Sequence, residues 1–402
     1  MNQKTSGFLK ADGEYMPFHW EGFSVYSDGF AARGRASSPF SELRADQIRA
    51  ELYLRGVFHR AWQIDNLELQ RLQVTLGRGT SATGLAVESE RPAPDKAATL
   101  DLRKAVIQDA NLNWGEAGKS AGSLQKVRVS VVPEGNAWLI NGSGGKLRQT
   151  GLPDLATGHL KLRYQHPQLF VTDVQFKLDE TGTVDLSGEL NFDKPSRLDL
   201  LAKFNNITVT PFLPEDWRAR LHGNLVGSAK VTGLLDTPES IMVKGSLSLV
   251  SGRLEALPVL ERIAVFTRTD QFRQFALQRA SADFSWVNST LNVTQLILES
   301  EGLIRIEGNF LMEQRVLDGQ FQVGVTAASL RWLPGSKSKV FTTERGGYLW
   351  APMRVTGPVD RLREDLSPRL AAAAESEVIE GVKGAVEKGA KELLDLLLPP
   401  AP

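Results

Sequence analysis

Residues Gly115–Ser120 (GEAGKS) end in the Gly-Lys-Ser order that closes a phosphate-binding loop. That motif needs its first glycine at position 113, which is Asn113, and a helix after the serine. A strand pattern follows instead, so the segment reads as a hairpin turn. Residues 77–82 (GRGTSA) fit the outline of a dinucleotide fingerprint, but no helical pattern follows them either. Ser143, in NGSGG, lacks the leading glycine and following helix of a nucleophile elbow. The five histidines (His19, His59, His159, His166 and His222) show no pair at metal-ligand spacing. Acidic residues fall at strand ends and on polar faces, with no spacing that favours an acid–base pair. Three glycosylation sequons start at Asn206, Asn288 and Asn292, and short matches of this kind arise readily by chance. The reading assigns no catalytic residue, no metal and no cofactor.

Composition narrows the classes further. With 402 residues, 42% of them hydrophobic, the chain is long enough for a large core. Its 47 basic and 47 acidic residues cancel, and no basic stripe stands out, which argues against nucleic acid as a partner. The absence of cysteine excludes disulfides, thiolate metal sites and cysteine nucleophiles. No stretch reaches the length of apolar residues needed to span a membrane. The sequence begins close to a strand pattern at Phe18–Val25, which suggests a missing upstream segment.

What must position any site is a recurring strand unit that closes on glycine. LFVTDVQFKL (169–178) is followed by GTVDLSGELNF (182–192); LNVTQLIL (291–298) is followed by GLIRIEGNF (302–310). VRVSV (127–131) with WLING (138–142) is a looser copy. Such repetition predicts a mainly β fold, an elongated, repetitive antiparallel sheet of the kind that usually serves as a platform or a groove. Residues 15–77 also alternate as strands, with one-residue slips at Asn66 and at Gln70-Arg71 that suggest bulges or tight turns. The expected regions are 1–98, with a Pro/Gly-rich loop at 77–98; 99–366, the repetitive sheet; and 367–402, a C-terminal amphipathic helix. Short helical insertions are expected at 210–220 and near 255–278, the latter carrying Phe272 and Phe275 in a second short piece. Ser367-Pro368 reads as the cap and first turn of the last helix.

VTGLLDTP (231–238) leading into VKGSLSLVSGRLEAL (243–257), then a short helix at 259–266 and strands over 282–310, resembles the C-terminal region of AsmA-like proteins. VTGPVD (355–360) repeats the glycine turn, and the likeness runs over roughly 120–360. The resemblance, shared with the larger TamB-like proteins, implies a cell-envelope protein of a diderm bacterium, associated with the inner membrane and projecting into the periplasm. It implies that the sheet forms a long, curved groove with an apolar inner face, used in phospholipid transport or in outer-membrane assembly and integrity. It transfers no catalytic residue. The family's N-terminal membrane anchor is not found in this sequence, and the chain is short for the family.

Two readings of function lead. The first is a non-enzymatic lipid-binding groove for phospholipid or another acyl-chain lipid, with Phe170, Phe176, Leu178, Phe284, Trp286, Leu296 and Leu298 as candidate lining. Strand parity does not place all seven on one face. The second is a structural scaffold with a closed core that recruits envelope assembly proteins through exposed sheet edges. A polymer-acting β-helix enzyme ranks last, because no acidic cluster accompanies the aromatic residues. An apolar channel open to solvent favours the first reading and a filled interior the second.

Overall fold

A computed structural model describes residues 11–35, 38, 40–53, 62–77, 100–116, 119–213, 215–235, 237–255, 274–330, 335–373 and 375–376. The protein is mainly β, as the alternation predicts. It forms two compact units: Met1–Lys203 with Thr232–Asp236, and Phe204–Val231 with Thr237–Pro402.

The first unit opens with β1 (Ala11–Tyr15), β2 (Phe18–Glu21), β3 (Ser24–Gly34), β4 (Phe40–Leu52) and β5 (Trp62–Leu76). It continues through β6 (Leu100–Leu102), β7 (Ala105–Glu116), β8 (Lys119–Glu134), β9 (Ala137–Ser143) and β10 (Lys146–Gln149). β11 (Leu155–Gln165), β12 (Gln168–Lys177), β13 (Thr183–Asn191) and the first part of β14 (Arg197–Thr208) complete it. β1–β3, β3–β4, β4–β5, β7–β8, β8–β9, β11–β12 and β12–β13 pair antiparallel, while β5 pairs in parallel with β6 and β7. The boundary expected at 77–98 therefore lies between two strands of one sheet, Leu67 opposite Ala105 and Thr75 opposite Asn113. Within GEAGKS, β7 and β8 pair antiparallel out to Glu116 opposite Lys119, and residues 117–118 lie outside the described residues.

The second unit holds a 3-10 turn (Thr210–Phe212) and α1 (Glu215–Arg218), where a short helical insertion is expected. Its strands are β15 (Leu221–Leu234), β16 (Thr237–Glu255), β17 (Gln274–Leu277), β18 (Arg279–Val287), β19 (Thr290–Ser300), β20 (Ile304–Glu313) and β21 (Val316–Thr326). After α2 (Ser336–Lys339) come β22 (Thr343–Arg345), β23 (Tyr348–Pro358) and β24 (Arg363–Glu364), then α3 over 366–373. Of the helical insertion expected near 255–278, residues 256–273, including Phe272, lie outside the described residues. Phe275 is in a strand rather than a helix, opposite Leu254.

The repeat glycines have a local cause. A Cβ on Gly188 would strike the carbonyl oxygen of Asp199, and one on Gly308 would strike that of Gln320, so the next strand approaches too closely for any other residue.

The second unit carries a filled core. Ile304, Ile306, Val323, Val325 and Ala351 on the apolar face of β20, β21 and β23 are covered by Leu330, Val340 and Phe341 and by Leu366, Leu370 and Ala373 of α3. α2 turns Phe341 inward, its N–H donating to the Ser336 carbonyl at 2.8 Å. Arg369 donates to the Pro352 carbonyl at 2.9 Å, tying α3 to β23. The cap of α3 differs from the expected one. The Glu364 carboxylate accepts the N–H groups of Leu366 and Ser367 at 2.7 and 2.8 Å, while the Ser367 hydroxyl is buried with no partner among the described residues. Glu364→Ala leaves those two donors without their acceptor and is expected to cost about 1–2 kcal/mol, measurable by urea denaturation. Residues 377–402, the bulk of the expected amphipathic helix, lie outside the described residues.

Candidate functional site: the apolar sheet face

Both main repeat copies contain a β-bulge at the same place. In β12 the pairing with β13 slips between Val171 and Val174, and in β19 the pairing with β20 slips between Val293 and Leu296. An extra residue reverses the inside–outside parity of everything after it. Val171, Val174 and Phe176 therefore share one face although they are not evenly spaced, and Val293, Leu296 and Leu298 do the same. The slip expected at Asn66 takes this form too, whereas at Gln70-Arg71 the β4–β5 pairing keeps its register, Asp46 opposite Arg71 and Ile48 opposite Leu69. The β4–β5 register shifts where Asn66 faces Glu51, and Leu69 and Leu72, three apart, pack into one cluster.

In the first unit this face carries Val127, Leu155, Leu160, Val171, Val174 and Phe176, all buried. Around them lie nine half-buried apolar side chains, among them Leu124, Leu162, Leu178, Leu186 and Leu190. Among the described residues of this unit there are strands and turns but no helix, so no helix covers this patch there as α3 covers the core of the second unit. The core patch of the second unit has the opposite balance, fifteen buried side chains and seven half-buried ones. The two patches are built from the same repeat and differ in their share of half-buried side chains among the described residues.

The structure divides the seven candidate lining residues. Phe176 (7% exposed) and Leu178 belong to the apolar patch of the first unit, Phe176 buried within it and Leu178 half-buried at its margin. Phe170 lies on the opposite face, one residue from Val171, between Arg163 and Glu189 on the neighbouring strands. Arg163 can cover its ring with an aliphatic stem. Phe284, Trp286, Leu296 and Leu298 share the apolar face of the second unit with Ala280 and Val293. Leu298 packs against the plugged core, Phe284 and Leu296 are half-buried, and Trp286 is 39% exposed at the far end of β18. In this unit the apolar face runs from a covered end to an uncovered one. Val174, Leu186 and Leu190 were not singled out in the sequence. The signal that finds them is the Val171-x-x-Val174 step, whose spacing fits one face only if a bulge lies inside it.

The opposite face is polar and cross-linked by exposed ion pairs, such as Arg35–Asp12 at 2.6 Å and Arg354–Asp318 at 3.1 Å. Pairs of this exposure contribute little to stability. Among the described residues, no helix is long and apolar enough to cross a membrane. No family model matches the chain, and neither a curated protein nor a solved structure shows significant similarity to it.

Proposed function

We propose that this chain is a non-enzymatic cell-envelope protein whose apolar sheet face takes up the acyl chains of phospholipid, in lipid transfer or in outer-membrane assembly and integrity. The observation that carries the reading is the patch of the first unit, a broad apolar face of six buried and nine half-buried side chains with no helix over it among the described residues of that unit. Apolar surface left in this state is a candidate binding surface. Each acyl methylene removed from water there contributes about 0.8 kcal/mol. The AsmA-like resemblance supports the same reading and supplies the place, the periplasm of a diderm bacterium beside the inner membrane. The scaffold reading draws on the filled core of the second unit, which offers no room for a chain under its plug.

The test is native mass spectrometry with lipid extraction on the full chain purified from a diderm host. Wild type is expected to carry phospholipid. Leu186→Gln, at a half-buried lining position, and Phe176→Asp are expected to lower the bound lipid at least about tenfold. That factor corresponds to the loss of about two methylenes' worth of contact. Phe170→Asp, on the other face, should leave it unchanged. A folded, lipid-free wild type, or equal loss in Phe170→Asp and Leu186→Gln, would overturn the proposal in favour of the scaffold.

A further inference from the structure

The polar face of the first unit carries a depression of about 550 Å³ lined from β5, β7, β8, β9 and β11. Its face is fixed by Gly142, where a Cβ would meet Leu160 and Val127 of the apolar side. The residues flanking these three, Asn141 and Ser143, His159 and Lys161, and Arg128, must then point the other way. Lys104, Ser130, Gln108 and Glu68 complete the polar lining. A register slip between Ile107 and Ala110 in β7 and another between Thr157 and His159 in β11 fall beside it, and bulged strands bend.

The charges in the depression do not cancel. Arg128 is held by a neutral partner, its Nε donating to the Gln108 amide oxygen at 2.9 Å. Lys104 has no ion-pair partner among the described residues. Lys161 and His159 share one carboxylate, Asp173, each at 2.8 Å. Glu68 is the sole carboxylate among the described residues of the lining. In a chain of zero net charge, three cations, a histidine and the neutral donors Asn141, Ser130 and Ser143 are gathered on one concave surface against two acids. The volume lies within the usual range for small-ligand sites. Arg128 is pre-oriented by Gln108, and its terminal nitrogens have no hydrogen-bond partner among the described residues, the arrangement that suits bidentate binding of a phosphate.

We infer that this depression is a binding site for a phosphate group, with Arg128 and Lys104 as the principal ligands and Lys161, Asn141 and Ser143 around them. It lies on the face opposite the apolar patch, so it does not depend on the acyl-chain reading. The phosphate can come from a soluble anion or from a lipid headgroup at a membrane surface, and two probes separate these sources. Inorganic pyrophosphate is titrated into the full chain by calorimetry, and vesicles of phosphatidylglycerol or of phosphatidylcholine are tested by co-sedimentation. Each is repeated with the Lys104→Gln/Arg128→Gln double variant and with Lys146→Gln, an exposed lysine outside the depression. The expected result is pyrophosphate binding that weakens with salt and falls about tenfold or more in the double variant alone. Binding of phosphatidylglycerol vesicles without pyrophosphate binding, lost in the double variant, assigns the phosphate to a lipid surface and also supports the site. No binding of either probe, or binding that the double variant leaves intact, overturns it. Lipid co-purification of the double variant stays at the wild-type level in every case where the acyl-chain reading holds.

Discussion

Phe341→Ala is expected to lower the stability of the second unit by about 3–5 kcal/mol, among the largest losses available to a single side chain in this chain. Phe341 is 0% exposed and sits in the plug over Ile304, Val323 and Val325. Removing its ring costs the transfer free energy of the buried atoms and leaves a cavity. Collapse into that cavity is restricted. The Phe341 N–H is bonded to Ser336, α3 is tied to β23 through Arg369, and the sheet beneath is held by the β20–β21–β23 pairings. The measurement is urea denaturation followed by tryptophan fluorescence, since Trp286 and Trp350 both lie in this unit. A lower midpoint with an unchanged slope is the expected signature. Val316→Ala, at a side chain 50% exposed, should change the midpoint little. A loss below about 1 kcal/mol at Phe341 would mean that the segment is a loose lid rather than a core element.

Strands were legible in the sequence because alternation is a direct image of a two-faced sheet, and the glycine-terminated repeat was legible because its order of apolar positions and glycines recurs although few residues are identical. The face of a given residue was less so. Parity counting separates Val171 from Val174 and puts Phe170 with Phe176, and a single bulged residue at Thr172-Asp173 reverses both assignments. The plug was not legible for a different reason. Its residues, Leu330, Val340 and Phe341, follow neither a helical nor a strand period, and their burial comes from the surface they fold back onto. The cation-rich depression was hidden by distance along the chain. Lys104, Arg128 and Lys161 are far apart in a sequence without a basic stripe, and only the β5–β7–β8–β9–β11 pairing order brings them together. Phe275 read as part of a helical insertion because its flanking apolar residues fit either period. Pairing with Leu254 at the edge of β16 decided for strand.

Deletion of Thr172 is expected to disrupt the first unit more than any substitution on its apolar face. The bulge lets Val171 face inward and then, one extra residue later, Val174, Phe176 and Leu178 face inward as well. Without that residue β12 keeps strict alternation. Either Val171 and Leu169 or the trio Val174, Phe176 and Leu178 must turn to the polar face, beside residues such as Arg163 and Glu189. Exposing three such side chains forfeits roughly 1.5–3 kcal/mol each, several kcal/mol in all, which is comparable to the whole stability of an ordinary domain. Substitution at the same site has a different consequence. Thr172→Ala keeps the extra residue and exchanges one exposed side chain, so it should stay within about 0.5 kcal/mol of wild type. Thermal unfolding monitored by circular dichroism distinguishes the two. Loss of the cooperative transition in the deletion, with a near wild-type Tm for Thr172→Ala, is expected. A deletion variant that melts normally would show that β12 re-registers against β11 and β13 at little cost. The shared bulge of the two repeat copies would then be a by-product of sequence duplication, and not the device that keeps each apolar face on one side of its sheet.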